Sequence, residues 1–107
     1  MKVTMRAEPS PWGGWDATAL TTEGQLVMLT HHWLEAEDEV SALVEAIYSA
    51  LQYAEHWQEA QVDFIHASGK LQAWVKGITL PIPKGTRARF FLMQKDKVSS
   101  VIDEALA

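Results

Sequence analysis

The chain has 107 residues, a formal net charge of -5 and no cysteine. That length fits one domain over 1–107, and the missing thiols exclude disulfides, thiolate metal sites and cysteine nucleophiles. An acidic balance is the wrong sign for a free-standing duplex binder, whose affinity comes from neutralising phosphates, while 48% hydrophobic residues give enough apolar surface to offset the ordering entropy of folding.

No apolar run approaches the ~20 residues that span a bilayer. The start, Met1 to Arg6, lacks the long apolar stretch of a secretory signal. The expectation is a cytoplasmic protein without membrane attachment.

Val3, Met5 and Ala7 alternate with Lys2, Thr4 and Arg6, the period of a half-buried strand. Pro9, Pro11, Gly13 and Gly14 then predict a loop. Trp15 to Leu20 reads as a second strand, Thr21 to Gln25 as a turn, and Leu26 to Trp33 as a third strand. Links this short favour an antiparallel meander. The strongest periodic signal follows. Val40, Leu43, Val44, Ile47 and Leu51 form one apolar stripe, which predicts a helix from about Ala36 to Trp57, broadened by Tyr48 and Ala54. Glu37, Asp38 and Glu39 lie in its first turn, where the helix dipole favours negative charge.

Gln61 to His66 is the next predicted strand, with Val62 and Phe64 on one side. Leu71 to Lys76 fits either a strand, in a hairpin about Ser68-Gly69, or a short helix, because short apolar runs are ambiguous in period. Leu80-Pro81-Ile82-Pro83 must be extended. Arg87 to Met93 reads as a strand. Lys97 to Ala107 reads as a closing helix, with Val98, Val101, Ile102, Ala105 and Leu106 as its inner face. The predicted class is α+β: a three-strand meander, a long amphipathic helix, further strands and a short C-terminal helix.

Five tryptophans stand out: Trp12, Trp15, Trp33, Trp57 and Trp74. Trp is enriched both in cores and at binding hot spots, so Trp12, Trp15, Trp33 and Trp74 are candidates for a binding groove. Lys84, Arg87, Arg89, Lys95 and Lys97 form the chain's basic stretch, with Arg87 and Arg89 on one strand face next to Phe91. That arrangement suits a phosphate or an acidic partner, and equally a solvated edge that discourages aggregation. Glu35, Glu37, Asp38 and Glu39 gather opposite in sign, either as acid–base candidates or as helix-capping charge. His31 and His32 are adjacent, so a strand turns them to opposite faces, and neither they nor His66 fit a metal-ligand spacing. No Gly-x-Ser-x-Gly elbow occurs, and Gly13-Gly14 precedes a strand rather than a helix, which leaves nucleotide hydrolysis without support.

The element order resembles the ribonuclease H family, in which a three-strand meander precedes the main helix. Glu39-Val40-Ser41-Ala42-Leu43 is similar to that family's helix, which opens with a catalytic Glu and continues Ala-Leu. Val62 to Ser68 is similar to its fourth strand, which ends in Asp-Ser, and Asp103-Glu104-Ala105-Leu106-Ala107 to its closing Asp-x-Leu-Ala helix. The resemblance implies carboxylates converging on two Mg²⁺ ions. This chain departs from it: Thr4-Met5-Arg6 stands where the first strand should carry an Asp, and Ala67-Ser68 stands for Asp-Ser. Gly13-Gly14-Trp15 followed by strand and an acidic-starting helix is also similar to small HicB-type antitoxins, without their Pro-Gly-Cys turn or Gly-Asp-Thr approach.

The reading is a non-catalytic binding protein, without cofactor, meeting a protein or small molecule through a surface or Trp-lined groove; self-association as a symmetric dimer through a strand edge or the Trp-rich surface is compatible with so small a domain. Two alternatives stand beside it. One is a variant metal-dependent nuclease using Glu39 with Asp63 or Asp103, and Mg²⁺. The other is a small-molecule pocket. The nuclease alternative requires Glu8, Glu39, Asp63 and Asp103 to converge.

Overall fold

A computed structural model describes residues 1–21, 27–33 and 37–105. Of the turn expected at 21–25, Thr21 belongs to β2 and the rest lies outside them, as do the predicted helix start at Ala36, Glu35 and Leu106. The elements are β1 (Lys2–Pro9), β2 (Trp15–Thr21), β3 (Val27–Trp33), α1 (Glu39–His56), β4 (Gln61–His66), α2 (Gly69–Lys76), β5 (Arg87–Gln94) and β6 (Lys97–Ala105). They form one mixed sheet of order β3-β2-β1-β4-β5-β6. The meander β1-β2-β3 is antiparallel as expected. β1 pairs in parallel with β4, and β4 in parallel with β5.

Alternation sets the two sheet faces. Val3, Met5, Ala17, Ala19, Val62, Phe64, Ala88 and Phe90 point to one side and are buried in a single cluster. Both helices cover that side. α1 buries Leu43, Ile47 and Leu51 together with Ala42, Ala46, Ala50 and Ala54. The alanines fill the gaps in the predicted stripe and let the helix approach the sheet closely. Val40 and Val44, expected in the stripe, are half-buried. Asp38 caps α1, its Oδ1 accepting from the Ser41 N–H at 2.8 Å. The opposite sheet face carries no helix among the described residues.

The ambiguous segment is helix α2. Ser68 decides it: its Oγ accepts the Leu71 N–H at 3.1 Å, an N-cap that a hairpin could not use. Leu71 and Val75 then enter the core.

The closing helix expected over Lys97–Ala107 is instead strand β6, paired antiparallel with β5. The helical spacing was imitated by a bulge. Leu92 faces Ser100 but Met93 faces Val98, so β6 holds one extra residue. That insertion puts Val98 and Val101, three apart, on the same face. The hairpin itself turns through Lys95 and Asp96, with φ of 50° and 65°. Positive φ at both central residues is the requirement of a type I′ turn, whose usual Asn-Gly signal is missing here.

Phe64 and Phe90 stack at 4.9 Å between centroids in the centre of the sheet, both fully buried. Phe64→Ala is expected to lower unfolding free energy by about 3–5 kcal/mol. Urea denaturation should show the midpoint falling with the slope unchanged.

Candidate functional site

Because β1 and β4 are parallel neighbours, their C-terminal ends lie at the same sheet edge. From there the chain leaves β1 toward β2 and leaves β4 toward α2 and β5, in opposite directions. Such a divergence leaves a crevice at the strand ends, the usual ligand position in open sheets with helical cover. Two adjoining cavities occupy it. One, of 430 Å³, is lined by Trp15, Asp38, Glu39, Ser68 and Lys70 among others. The other, of 340 Å³, is lined by Met5, Arg6, Glu39, Ala67 and Ser68 among others. Glu39, Ala67 and Ser68 border both. A further 390 Å³ depression near Glu55, Thr86 and Lys84 sits at the far end of α1 and has no aromatic wall.

The floor of the crevice rests on a buried polar chain. His66 Nδ1 accepts the Ser68 N–H at 3.1 Å. A backbone N–H can only donate, so the proton of a neutral His66 is on Nε2, which donates to Gln72 Oε1 at 2.7 Å. Gln72 Nε2 in turn donates to the Phe90 carbonyl at 3.0 Å and to Ser100 Oγ at 3.3 Å. Every ring nitrogen is thus partnered, and burial lowers the His66 pKa against the weaker raising effects of Gln72 and Glu39. His66 is a structural histidine that ties β4 to α2, β5 and β6.

The candidate carboxylates do not converge. Glu39 lines the crevice at the start of α1. Asp63 lies on the uncovered face, 8% exposed, where Arg89 Nε and Nη2 donate to its two oxygens at 2.8 Å each. Gln61 Nε2 adds a third donor at 3.1 Å. Asp103 is on the same face, held in a two-pronged contact by Arg87, with Nε to Oδ1 at 2.6 Å. Arg89 and Arg87, foremost through these hydrogen bonds, hold Asp63 and Asp103 below the usual carboxylate range. Glu8 is exposed near Arg6. Among the described residues, no group of three or more His, Asp or Glu could hold a metal ion.

Arg87 and Arg89, expected as a basic patch, are therefore occupied by Asp103 and Asp63, and Arg89 also covers the Phe91 ring at 5.1 Å. The tryptophans separate as well. Trp15 lines the crevice, and Trp33 is its register partner on β3. Trp12 is 84% exposed in the β1–β2 loop. Trp74 packs on the core from α2, which lies against β5 and β6. Trp57 ends α1, its ring 5.2 Å from His56. Among the described side chains, Trp15 is the tryptophan that walls the crevice. Lys70 of the crevice carries no sequence signal, and Ala67 and Ser68 carry only the likeness to a strand ending in Asp-Ser, because the pairing that brings them to Glu39 joins distant segments.

Comparison with protein-family models finds no match, and comparisons with curated proteins and with solved structures find none either.

The His66 chain gives a pH prediction. Its folded pKa lies below the unfolded value near 6.5. As pH falls through 6.5 the unfolded chain takes up a proton that the folded chain refuses, so stability declines. Asp38, Asp63 and Asp103 are lowered from 3.8, so their contribution is lost only at more acid pH. Urea unfolding at pH 7.5 and 5.5 should show a drop in the parent protein that shrinks in His66→Asn. That variant should also be weaker at pH 7.5 by about 1–3 kcal/mol, since Gln72 Oε1 loses its donor.

Proposed function

We propose that this chain is a non-catalytic binding domain acting through the Trp15-walled crevice, with a ribonuclease H-like arrangement whose metal site has been lost. What carries the reading is one coincidence of position. Met5, Glu39 and Ala67 border the same cavity. These are the first-strand, helix-start and fourth-strand positions at which the resemblance calls for carboxylates, and one of the three is acidic. A single carboxylate beside a thioether and a methyl group is a poor site for two hard cations, which need several oxygen ligands. It suits recognition better: a half-apolar cavity with a large aromatic wall and a few polar groups, in the size range of small-ligand sites.

The nuclease alternative receives no support from Asp63 and Asp103, which lie across the sheet from Glu39 with an arginine each.

Two experiments test this. Thermal unfolding with Mg²⁺ or Mn²⁺ up to several millimolar should leave the parent midpoint unchanged. Ala67→Asp, which adds a carboxylate beside Glu39 at an exposed position, should gain an Mn²⁺-dependent rise, about 2.7 kcal/mol at a hundredfold excess over its dissociation constant. A parent shift that disappears in Glu39→Ala would restore the nuclease reading. Separately, ¹⁵N spectra recorded against a fragment collection should show hits clustering on the Trp15 indole and the Glu39, Ser68 and Lys70 amides. Hits confined to other surfaces would sink the crevice as the binding site.

A further inference from the structure

The uncovered sheet face has an order that the crevice does not explain. One row crosses four strands in register as Lys2, Asp63, Arg89 and Asp103, alternating in charge. The next row is Leu20, Thr4, Ile65, Phe91 and Val101, apolar except for one threonine. Val101 is 53% exposed and Val98 on the same face 51%. Among the described side chains the face is electrically balanced: Lys2, Arg6, Arg87 and Arg89 stand with Glu8, Asp16, Asp63 and Asp103.

We propose that two copies of this chain pair face to face through this surface. Charge complementarity selects the second copy as occupant. A two-fold axis along the strands reverses the order of each row. A row reading plus, minus, plus, minus then meets its own reverse, so Lys2 opposes Asp103 of the second copy and Asp63 opposes Arg89. The alternative axis, across the strands, would set like on like. The same operation lays Ile65 on Phe91 and Thr4 on Val101, which closes the apolar row on itself. Asp63 and Arg89 are already hydrogen-bonded in two places, so much of their desolvation cost is met within each subunit. The four strands that this axis sets face to face, β1, β4, β5 and β6, at ~4.8 Å apart and about seven residues long at ~3.3 Å give a patch of roughly 440 Å². Two such patches bury about 900 Å², the size of a weak, concentration-dependent interface. The proposal is independent of the crevice.

Sedimentation equilibrium from 5 μM to 0.5 mM tests it, using ~ three loading concentrations and concentration-dependent ¹⁵N shifts to locate the contact. A dimer is expected, with shifts on Ile65, Phe91 and Val101. Val101→Asp should raise the dissociation constant by about tenfold or more, a change of ~1.4 kcal/mol. Lys2→Glu, an exposed change that sets a second carboxylate against Asp103, should weaken pairing similarly. Circular dichroism of dilute samples should show both variants folded. A parent protein that stays monomeric at 0.5 mM, a dimer whose shifts fall on the β3 or β6 edge or the Trp12 loop, or folded variants that dimerise unimpaired would each overturn it.

Discussion

The parallel pairing of β1 with β4 is the constraint on which the rest of the structure depends. It joins residues 2–4 to residues 63–65, so a meander, a helix and two connections must be in place before it closes. Loop closure over that distance is unfavourable. What offsets it is the layer above: α1 contacts both β1 and β2 through a face of leucine, isoleucine and alanine, and Phe64 enters beneath it to stack on Phe90. Once β1 and β4 are side by side, their C-terminal ends share an edge and the crevice follows from the diverging connections. The rows of the uncovered face follow from the same register.

The two sides of the sheet solve the polar-group problem differently. On the covered side polar groups are few and chained. Ser68, His66, Gln72 and Ser100 hand hydrogen bonds from α2 to β6 in one direction, set by a backbone N–H that can only donate. On the uncovered side charges are many and paired across strands, each arginine on β5 gripping a carboxylate on a neighbouring strand. Such cross-strand ion pairs also pin register, since a slip of one residue would turn every member to the other face.

Much of this was legible in the sequence, and the parts that were not share a cause. β1 and β4 showed residues alternating between two sides, β2, β3 and β5 read as strands between turn signals, and α1 showed a clear apolar stripe; all six formed close to where they were expected. α2 was ambiguous because Leu71 to Lys76 satisfies both periods, and a single serine cap resolved it. β6 was misread because the bulge at Ser99 spaces Val98 and Val101 as a helix would, and because Lys-Asp does not advertise a type I′ turn. The site was less legible still. Glu39, a candidate carboxylate, and Trp15, a candidate groove residue, both line the crevice. Asp63, Asp103, Arg87 and Arg89 were singled out for chemistry, yet their real partners are one another. Sequence spacing cannot reveal a pairing between β4 and β5, or β5 and β6, before the strand order is known.

The balance of charge on the uncovered face has an electrical consequence. With four cations and four carboxylates there, the excess of -5 must reside elsewhere. α1 carries Glu39, Glu45 and Glu55 and no lysine or arginine, with Glu37, Asp38 and Glu59 at its ends. The molecule is therefore polarised, neutral on its sheet side and negative along its long helix. In the field of a positively charged body it would turn its helical layer, and the crevice at the head of α1, toward the source before any contact is made.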